Sequence, residues 1–273
     1  MMPDSTIVAN RFTGKTALIT GANDQGIGGA IAERLCEEGA SVALLCHREP
    51  RKLLNRLQRR EWPHTWMYGS VTQQVDVDQM VQRCFDRFGR LDVVVNNAGV
   101  ELTRPLEDIA DDEWQHVLDV NLTGAMRVSR AALPKLTQPG GVIINIASSL
   151  GVSGCTGFTA YSATKAGMIG MTQSLAVEIA PKGLRSVCVA PGLVHSPMTH
   201  KYVEHLTEDV MSQIEACHPL GIGSPHDVAA AVAFLASEDA RWITGITLHM
   251  GWVPTMPLPV DRLLDTMRLE MQS

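Results

Sequence analysis

Short apolar runs that do not alternate constrain this chain most. Thr16–Thr20 (TALIT), Ser41–Cys46 (SVALLC), Leu91–Asn96 (LDVVVN), Val142–Ala147 (VIINIA) and Leu184–Ala190 are each too short for a helix and almost continuously apolar. A strand with one wet face reads apolar-polar-apolar; a continuous run means a strand covered on both faces. His64–Tyr68 reads as a weaker third strand and Ile246–Met250 as the last. Stretches of helical period lie between them. Gly26–Glu38 places Ile27, Ala30, Ile31 and Leu35 on one face and stops at Gly39. Glu49–Glu61 is amphipathic and Arg-rich, its basic residues reading as a solvated face. Val75–Phe88, Asp111–Val120, Asn121–Leu136 (closed by Pro139-Gly140-Gly141), Phe158–Ala180 and Pro225–Ser237 behind a Ser224 N-cap follow. Leu193–Leu220 is irregular with some helix. Strand-helix alternation of this kind predicts an α/β fold, a doubly wound parallel sheet with helices on both faces. No internal repeat or linker divides residues 1–273, so one domain is expected.

Composition narrows the function. A net charge of −6 over 273 residues offers no basic footprint for nucleic acid. Cys36, Cys46, Cys84, Cys155, Cys188 and Cys217 are scattered without a C-x-x-C pair, so neither a metal site nor a disulfide framework is expected. Reduced thiols in a cytoplasmic setting follow. Met1–Arg11 has no apolar core of a signal peptide, and no run reaches the ~18 apolar residues of a membrane span.

Gly21-Ala22-Asn23-Asp24-Gln25-Gly26-Ile27-Gly28 joins the first strand to the first helix. Glycines let a backbone approach phosphates, and a helix N-terminus offers free N–H groups and a positive dipole end. That context predicts a dinucleotide site. Asn96-Asn97-Ala98-Gly99 closes the fourth strand with small or turn-forming residues, which suits either a close-lying cofactor or a plain structural turn. Ser148 and Ser149 stand at the carboxyl end of VIINIA, where open α/β sheets place their ligands. Either hydroxyl is able to donate to a carbonyl oxygen; the residues alone do not choose.

Tyr161 and Lys165, four apart, share one helix face. A free Tyr has a pKa of about 10, so reaching about 7 takes about 4 kcal/mol. A unit positive charge about 4 Å away supplies about 4 kcal/mol at an effective dielectric of about 20. The pair is therefore scaled to make Tyr161 a proton carrier.

Together these motifs resemble the short-chain dehydrogenase/reductase family, compact single-domain type, from about Thr16 to about Gly251. The resemblance rests on the GIG turn, NNAG, Asn121-Leu122-Thr123-Gly124, Ser148 with Tyr161-x-x-x-Lys165, and Pro191-Gly192. It implies a Rossmann-like sheet of about seven parallel strands. It implies hydride transfer between a nicotinamide cofactor and a ketone or secondary alcohol. Tyr161 would be the acid/base. Lys165 would lower its pKa and hold the nicotinamide ribose. Ser148, chosen over Ser149 by family spacing, would polarise the carbonyl, and Asn121 would organise a relay water. As a residue alone, Asn121 reads only as a helix N-cap. Cofactor contacts would come from Gly21, Asn23, Gln25, Gly26, Ile27, His47, Arg48, Ser70, Val71, Asn97, Ala98, Gly99, Tyr161, Lys165, Pro191, Gly192, Val194 and Ser196. Residues 193–222 would cover the substrate, with Met198, Tyr202, Leu206 and Met211 facing core or ligand. The tail, 253–273, with Leu263, Leu264, Met267 and Met271 on one face, would pack on a neighbouring subunit of a homotetramer.

Four departures from the family pattern stand out. Four residues, not three, separate Gly21 from Gly26, so the turn must bulge. Cys46-His47-Arg48 replaces the acid that binds a ribose 2′-OH; without a carboxylate, and with Arg48 able to pair with a phosphate, NADP is expected, with NAD as the alternative. Ser70 replaces an adenine-binding Asp. Met250-Gly251-Trp252 replaces an Asp-Gly-Gly and puts the usual packing there in question. His195 beside the site reads as a loop-exposed residue. Glu101, Leu150, Val152, Phe158 and Leu193 would line the substrate pocket, and they name no substrate. Two alternatives remain. One is a catalytically silent nucleotide-binding sensor or structural subunit, which the intact Ser148, Tyr161 and Lys165 disfavour. The other is a sugar-nucleotide epimerase or dehydratase, for which too little chain follows Gly251.

Overall fold

The computed structural model describes residues 10–203 and 208–253. The side chain of Tyr202, residue Leu206 and the tail positions Leu263, Leu264, Met267 and Met271 lie outside the described residues. Seven parallel strands form one sheet in the order β3-β2-β1-β4-β5-β6-β7. They are β1 (Thr16–Thr20), β2 (Ser41–Cys46), β3 (His64–Tyr68), β4 (Val93–Asn96), β5 (Val142–Ile146), β6 (Arg185–Pro191) and β7 (Thr247–Met250). The helices are α1 (Ile27–Glu37), α2 (Arg51–Arg59), α3 (Gln74–Phe88), α4 (Asp111–Leu118), α5 (Gly124–Ala132), α6 (Thr159–Ile179), α7 (Pro197–Val203), α8 (Glu208–Ala216) and α9 (Pro225–Ala236). This is the expected Rossmann-like α/β fold.

The pleat explains why the runs are continuous. Ala17, Ile19, Val42, Leu44, Val93 and Val95 point to one face, where Ile31 and Leu35 of α1, Leu53 and Leu57 of α2, and Val228 and Val232 of α9 meet them. Their neighbours Leu18, Ala43, Leu45 and Val94 point to the other, against Val77 and Met80 of α3, Val128 of α5 and Ile179 of α6. Neither side of a central strand meets water, so no alternation survives. β3 is the weak strand because it is an edge: its residues are half-buried and Tyr68 is exposed.

The order in which strands are laid down reverses between β1 and β4, and the crevice outside their carboxyl ends is where ligands of such sheets bind. Thr20 ties the two strand ends together. Its Oγ1 accepts from the amides of Asn97 at 3.2 Å and Ala98 at 3.1 Å.

Two expectations need correction. Asp111–Val120 and Asn121–Leu136 are not separate helices: α4 runs into α5 through a π-helical turn, Asp119–Thr123. Asn121 therefore lies inside a continuous rod and is not an N-cap. No Gly or Pro breaks the run there, and π turns of this kind gather at functional sites. Leu91 is outside β4 and makes only an isolated bridge with Leu136. The remaining boundaries shift by a residue or two, as fraying ends do. Ser224 caps α9 as expected, its Oγ accepting from Asp227 N.

Candidate active site and cofactor cleft

Three elements carry the chemistry at the carboxyl edge of the sheet. β5 delivers Ser148 in extended backbone just past its end. α6 carries Tyr161 and, one turn on, Lys165. The π turn presents Asn121.

Ser148 Oγ accepts from Leu150 N at 3.2 Å, and Ser148 is the side chain whose hydrogen bonding lowers the Tyr161 phenol. Ser149 begins a short 3-10 turn and is buried, its carbonyl accepting from the amides of Val152 and Ser153. Ser148, not Ser149, is thus the serine that acts on the tyrosine. The turn lies directly on α6, since a Cβ on Gly151 would come 2.9 Å from the Lys165 carbonyl carbon.

Lys165 is 3% exposed. Its Nζ donates to the Ile146 carbonyl at 2.8 Å and sits 5.4 Å from the Tyr161 ring centroid. Burial, which disfavours the charged form, pushes Lys165 down to about 8. Burial also pushes Tyr161 up to about 12, opposed by the Ser148 hydrogen bond and aided by the negative charge of Glu101. In the protein by itself, burial outweighs any acidifying effect on Tyr161. The amine is held by the Ile146 carbonyl, 5.4 Å from the ring centroid, and desolvation acts against both charges. Ser148 is the group that lowers the phenol.

Asn121 is fully buried. Its Oδ1 accepts from Val100 N at 2.8 Å; its Nδ2 donates to Val100 O at 2.8 Å and to Thr164 Oγ1 at 3.1 Å. Thr164 Oγ1 donates in turn to the Tyr161 carbonyl at 2.7 Å. The amide is engaged at both ends. It locks the segment after Gly99 to the α6 turn that bears the tyrosine.

The cleft beside this set fits a dinucleotide. At Gly21 (φ +69°) an added Cβ would stand 2.6 Å from Ala98 Cα, and at Gly29 it would stand 2.1 Å from the Asn23 carbonyl oxygen. The turn is packed so closely on β4 and on α1 that side chains are excluded. Gln25 and Gly26 share a cavity of about 540 Å³ with Ser196 and Pro197, so the glycine-rich turn and the segment after β6 face the same space. His195 also lines it and is exposed, as read from the sequence. Gly99 faces the lysine: a Cβ would be 3.7 Å from Nζ.

The extra turn residue has an unexpected use. Asn23 Oδ1 accepts from Gln25 N at 3.1 Å and also from Gly26 N. Asp24 points to α2, where its Oδ1 accepts from Leu53 N at 2.8 Å. α2 has no side-chain cap of its own, so Asp24 caps it from a distance. Arg56 donates to the Asp24 carbonyl at 3.0 Å and pairs with Glu33 at 2.6 Å, so part of the Arg-rich face is a clamp and not simply solvated. Only the missing cap on α2 hinted at this.

Cys46 is buried, its Sγ bonded to the Ala22 carbonyl at 3.2 Å, whereas His47 and Arg48 are exposed. Arg48 takes part in no ion pair among the described residues. Ser70 Oγ pairs with Thr72 at 2.9 Å, and Ser70 N donates to Asp76 Oδ2 at 2.8 Å. Val71 is buried against Gly124, and Ile27 opens α1. Asn97 Nδ2 donates to the carbonyls of Thr20 and Gly21 at 2.9 and 3.1 Å. Val194 is buried and bridges Gly223; Ser196 is buried and bonded to Thr199. Beyond β7, Gly192 N donates to Met250 O at 2.8 Å and Val253 N to Cys217 O at 3.0 Å, so Met250-Gly251-Trp252 packs onto the Pro191–Ser196 loop.

The comparisons agree with this geometry. The family model described as Enoyl-(Acyl carrier protein) reductase matches residues 21–251. The chain is 38% identical over 241 residues to a 3-oxoacyl-[acyl-carrier-protein] reductase of Staphylococcus aureus, covering 87% of this chain and 96% of that one. A protein of the same name from Thermotoga maritima is 36% identical, over 86% and 95%. Among solved structures, a short chain dehydrogenase from Burkholderia cenocepacia in complex with NADP is 31% identical with a TM-score of 0.80, over 88% and 97%. A dehydrogenase/reductase from Sinorhizobium meliloti is 30% identical, also at 0.80, over 87% and 93%. With the sheet order, the glycine-packed turn and the Ser-Tyr-Lys set on one strand edge, these matches make the chain a member of the short-chain dehydrogenase/reductase family of NAD(P)-dependent oxidoreductases.

Proposed function

We propose that this protein reduces a ketone to a secondary alcohol with NADPH, with Tyr161 as proton donor. The hydroxyl pair Ser148–Tyr161 at the mouth of the sheet's switch point carries this reading. Two hydroxyl donors converging on one point suit a carbonyl oxygen better than a carbon–carbon double bond. That favours the 3-oxoacyl reductions named for the relatives over the enoyl reduction in the family model's description. A bound nicotinamide supplies the hydride that goes to the carbonyl carbon. As negative charge builds on the oxygen, Ser148 donates a hydrogen bond to it and Tyr161 gives up its proton. Burial and the Glu101 charge keep Tyr161 protonated, the form needed to serve as an acid. Lys165, a cation beside the ring, offsets charge left on the phenolate and is placed to hold a ribose hydroxyl. Asn121 positions Val100 and the tyrosine-bearing turn. The silent-subunit alternative is disfavoured by the intact triad.

The cofactor contacts belong to the same proposal. Gly21, Asn23, Gln25, Gly26 and Ile27 would flank the phosphates. Ser70 and Val71 would border the adenine, and Asn97, Ala98 and Gly99 the ribose. Pro191, Gly192, Val194 and Ser196 would take the carboxamide side. NADP over NAD is supported by the buried Cys46 thiol where a carboxylate would stand, and by exposed His47 and Arg48 with room for a 2′-phosphate.

We place the chain, as one domain, in the cytoplasm, a reading supported by six cysteines with no disulfide among the described residues. Homotetramer assembly is supported by the outward apolar side chains Val177, Phe234 and Trp242, the last 95% exposed. Light scattering on the purified protein tests it; a monomer at all concentrations refutes it. The decisive experiment is Tyr161→Phe on a panel of ketones and 3-oxoacyl thioesters, followed by nicotinamide absorbance. Turnover is expected to fall by about 10²- to 10⁴-fold while NADPH still binds. Wild-type turnover in that variant removes the assignment.

A further inference from the structure

His218 lies between the covering segment and the loop after β6, and both of its ring nitrogens are in use. The Leu193 amide donates to Nε2 at 2.8 Å. Nδ1 lies 2.6 Å from the Ile214 carbonyl, in the last turn of α8. A backbone N–H has only a donor to offer and a carbonyl only an acceptor, so the proton is on Nδ1 and Nε2 presents its lone pair. The ring is buried, and it rests on Gly192, where a Cβ would come 2.4 Å from Nε2. Only glycine permits that approach. The same place receives Trp252, whose Cβ would be 2.9 Å from such a Cβ.

From this we infer that His218 is a positioning residue: in its neutral form it latches the covering segment to the Pro191–Ser196 loop, and its protonation releases that latch. The inference rests on the reading of that loop as the nicotinamide side of the cleft. A protonated ring has two N–H donors and no acceptor. Nε2–H would then face the Leu193 N–H, donor against donor, in a buried site. The Nδ1–H bond to Ile214 survives, because the C-terminal end of a helix accepts a cation readily. Acid therefore breaks one arm of the latch and spares the other, and the loop, not α8, is what moves. Leu193 and Gly192, which meet the ring, and Trp252, across Gly192 from it, have no ionisable side chain. On its own stretch the titratable neighbours are Glu215, which is exposed, and Cys217, whose carbonyl is held by Val253 N.

Two variants separate the possibilities. His218→Gln keeps an acceptor for Leu193 N–H and does not titrate; His218→Leu fills the space without an acceptor. NADPH affinity is measured from about pH 8 to about pH 5.5, a span that brackets the reference histidine pKa of about 6.5. Hydrogen exchange at the Leu193 amide is followed over the same span, corrected for intrinsic rates. For the wild type we expect affinity to weaken about tenfold toward acid pH and Leu193 exchange to rise with it. His218→Gln should hold affinity and protection flat across the pH span. His218→Leu should be about tenfold weaker throughout. An acid limb that is the same in His218→Gln as in the wild type overturns the latch, as does unaltered Leu193 protection in a folded His218→Leu. If no variant or wild type binds NADPH, the cofactor reading fails, and the Leu193 exchange profile still decides on the latch.

Discussion

Replacing Lys165 by Met should stabilise the protein while destroying its activity, and the gain should reverse with pH. Burial takes Lys165 from its ordinary 10.5 to about 8. That difference of 2.5, at about 1.36 kcal/mol each, means the charged amine costs about 3 kcal/mol of folding stability at pH 7. Met removes that cost with a side chain of similar length. The Ile146 carbonyl then loses its donor, a penalty of about 1–3 kcal/mol. The net at pH 7 is a gain of about 1 kcal/mol, or about 2–4 °C in Tm for a domain of this size. Between about pH 8 and about pH 10.5 the unfolded chain holds the lysine proton and the folded one does not, so wild-type stability rises with pH. By about pH 9.5 the wild type has recovered about 2 kcal/mol, from 1.5 pH units at about 1.36 each. The variant, which has nothing to titrate, should then be the less stable by about 1 kcal/mol. Thermal unfolding of both proteins at pH 7 and pH ~9.5, with turnover measured alongside, checks this. A variant that is less stable at pH 7, by the same margin at both pH values, refutes the idea that desolvation governs Lys165.

Two further outcomes test other parts of the structure. Arg48→Glu should raise the KM for NADPH at least about tenfold and leave that for NADH within about threefold, since one charge-assisted contact to a phosphate is worth about 1.5–3 kcal/mol; equal effects on both cofactors argue against a 2′-phosphate at Arg48. Glu38 is fully buried, and although burial alone would raise its carboxyl pKa, hydrogen bonds from Arg11 at 2.5 Å and Arg34 at 2.6 Å hold it below the ordinary range. Its contribution is complete above the unfolded value of about 4.3 and is lost as pH falls through the lower folded value. Glu38→Gln should therefore cost about 3 kcal/mol at pH 7 in denaturant melts and less in acid; a loss that does not change with pH contradicts the ion-pair account.

The distance between pattern and structure is clearest at single residues. Ser148 and Ser149 have the same hydroxyl, and only the extended backbone after β5 aims one of them at Tyr161. Asn121 looked like a cap because a polar residue after an apolar stretch usually is one. The π turn that makes it a buried bridge leaves no mark that periodicity detects. Asp24 reaches α2 across 29 positions of sequence, and His218 reaches Leu193 across 25; neither link is visible to local spacing.

What the amino-acid order decided by itself is the layered sheet and the line of chemical groups along one edge of it. Unbroken apolar strands must be covered on both sides, and a parallel sheet so covered must present its strand ends to ligands. The tertiary structure alone decided the burial that shifts Tyr161 and Lys165. Spacing suggested that a lysine would acidify Tyr161. Burial at the sheet edge, with the amine tied to Ile146, does the opposite in the protein by itself. Desolvation depends on everything that surrounds a charge, and that is a property of the packed molecule, not of any stretch of the chain.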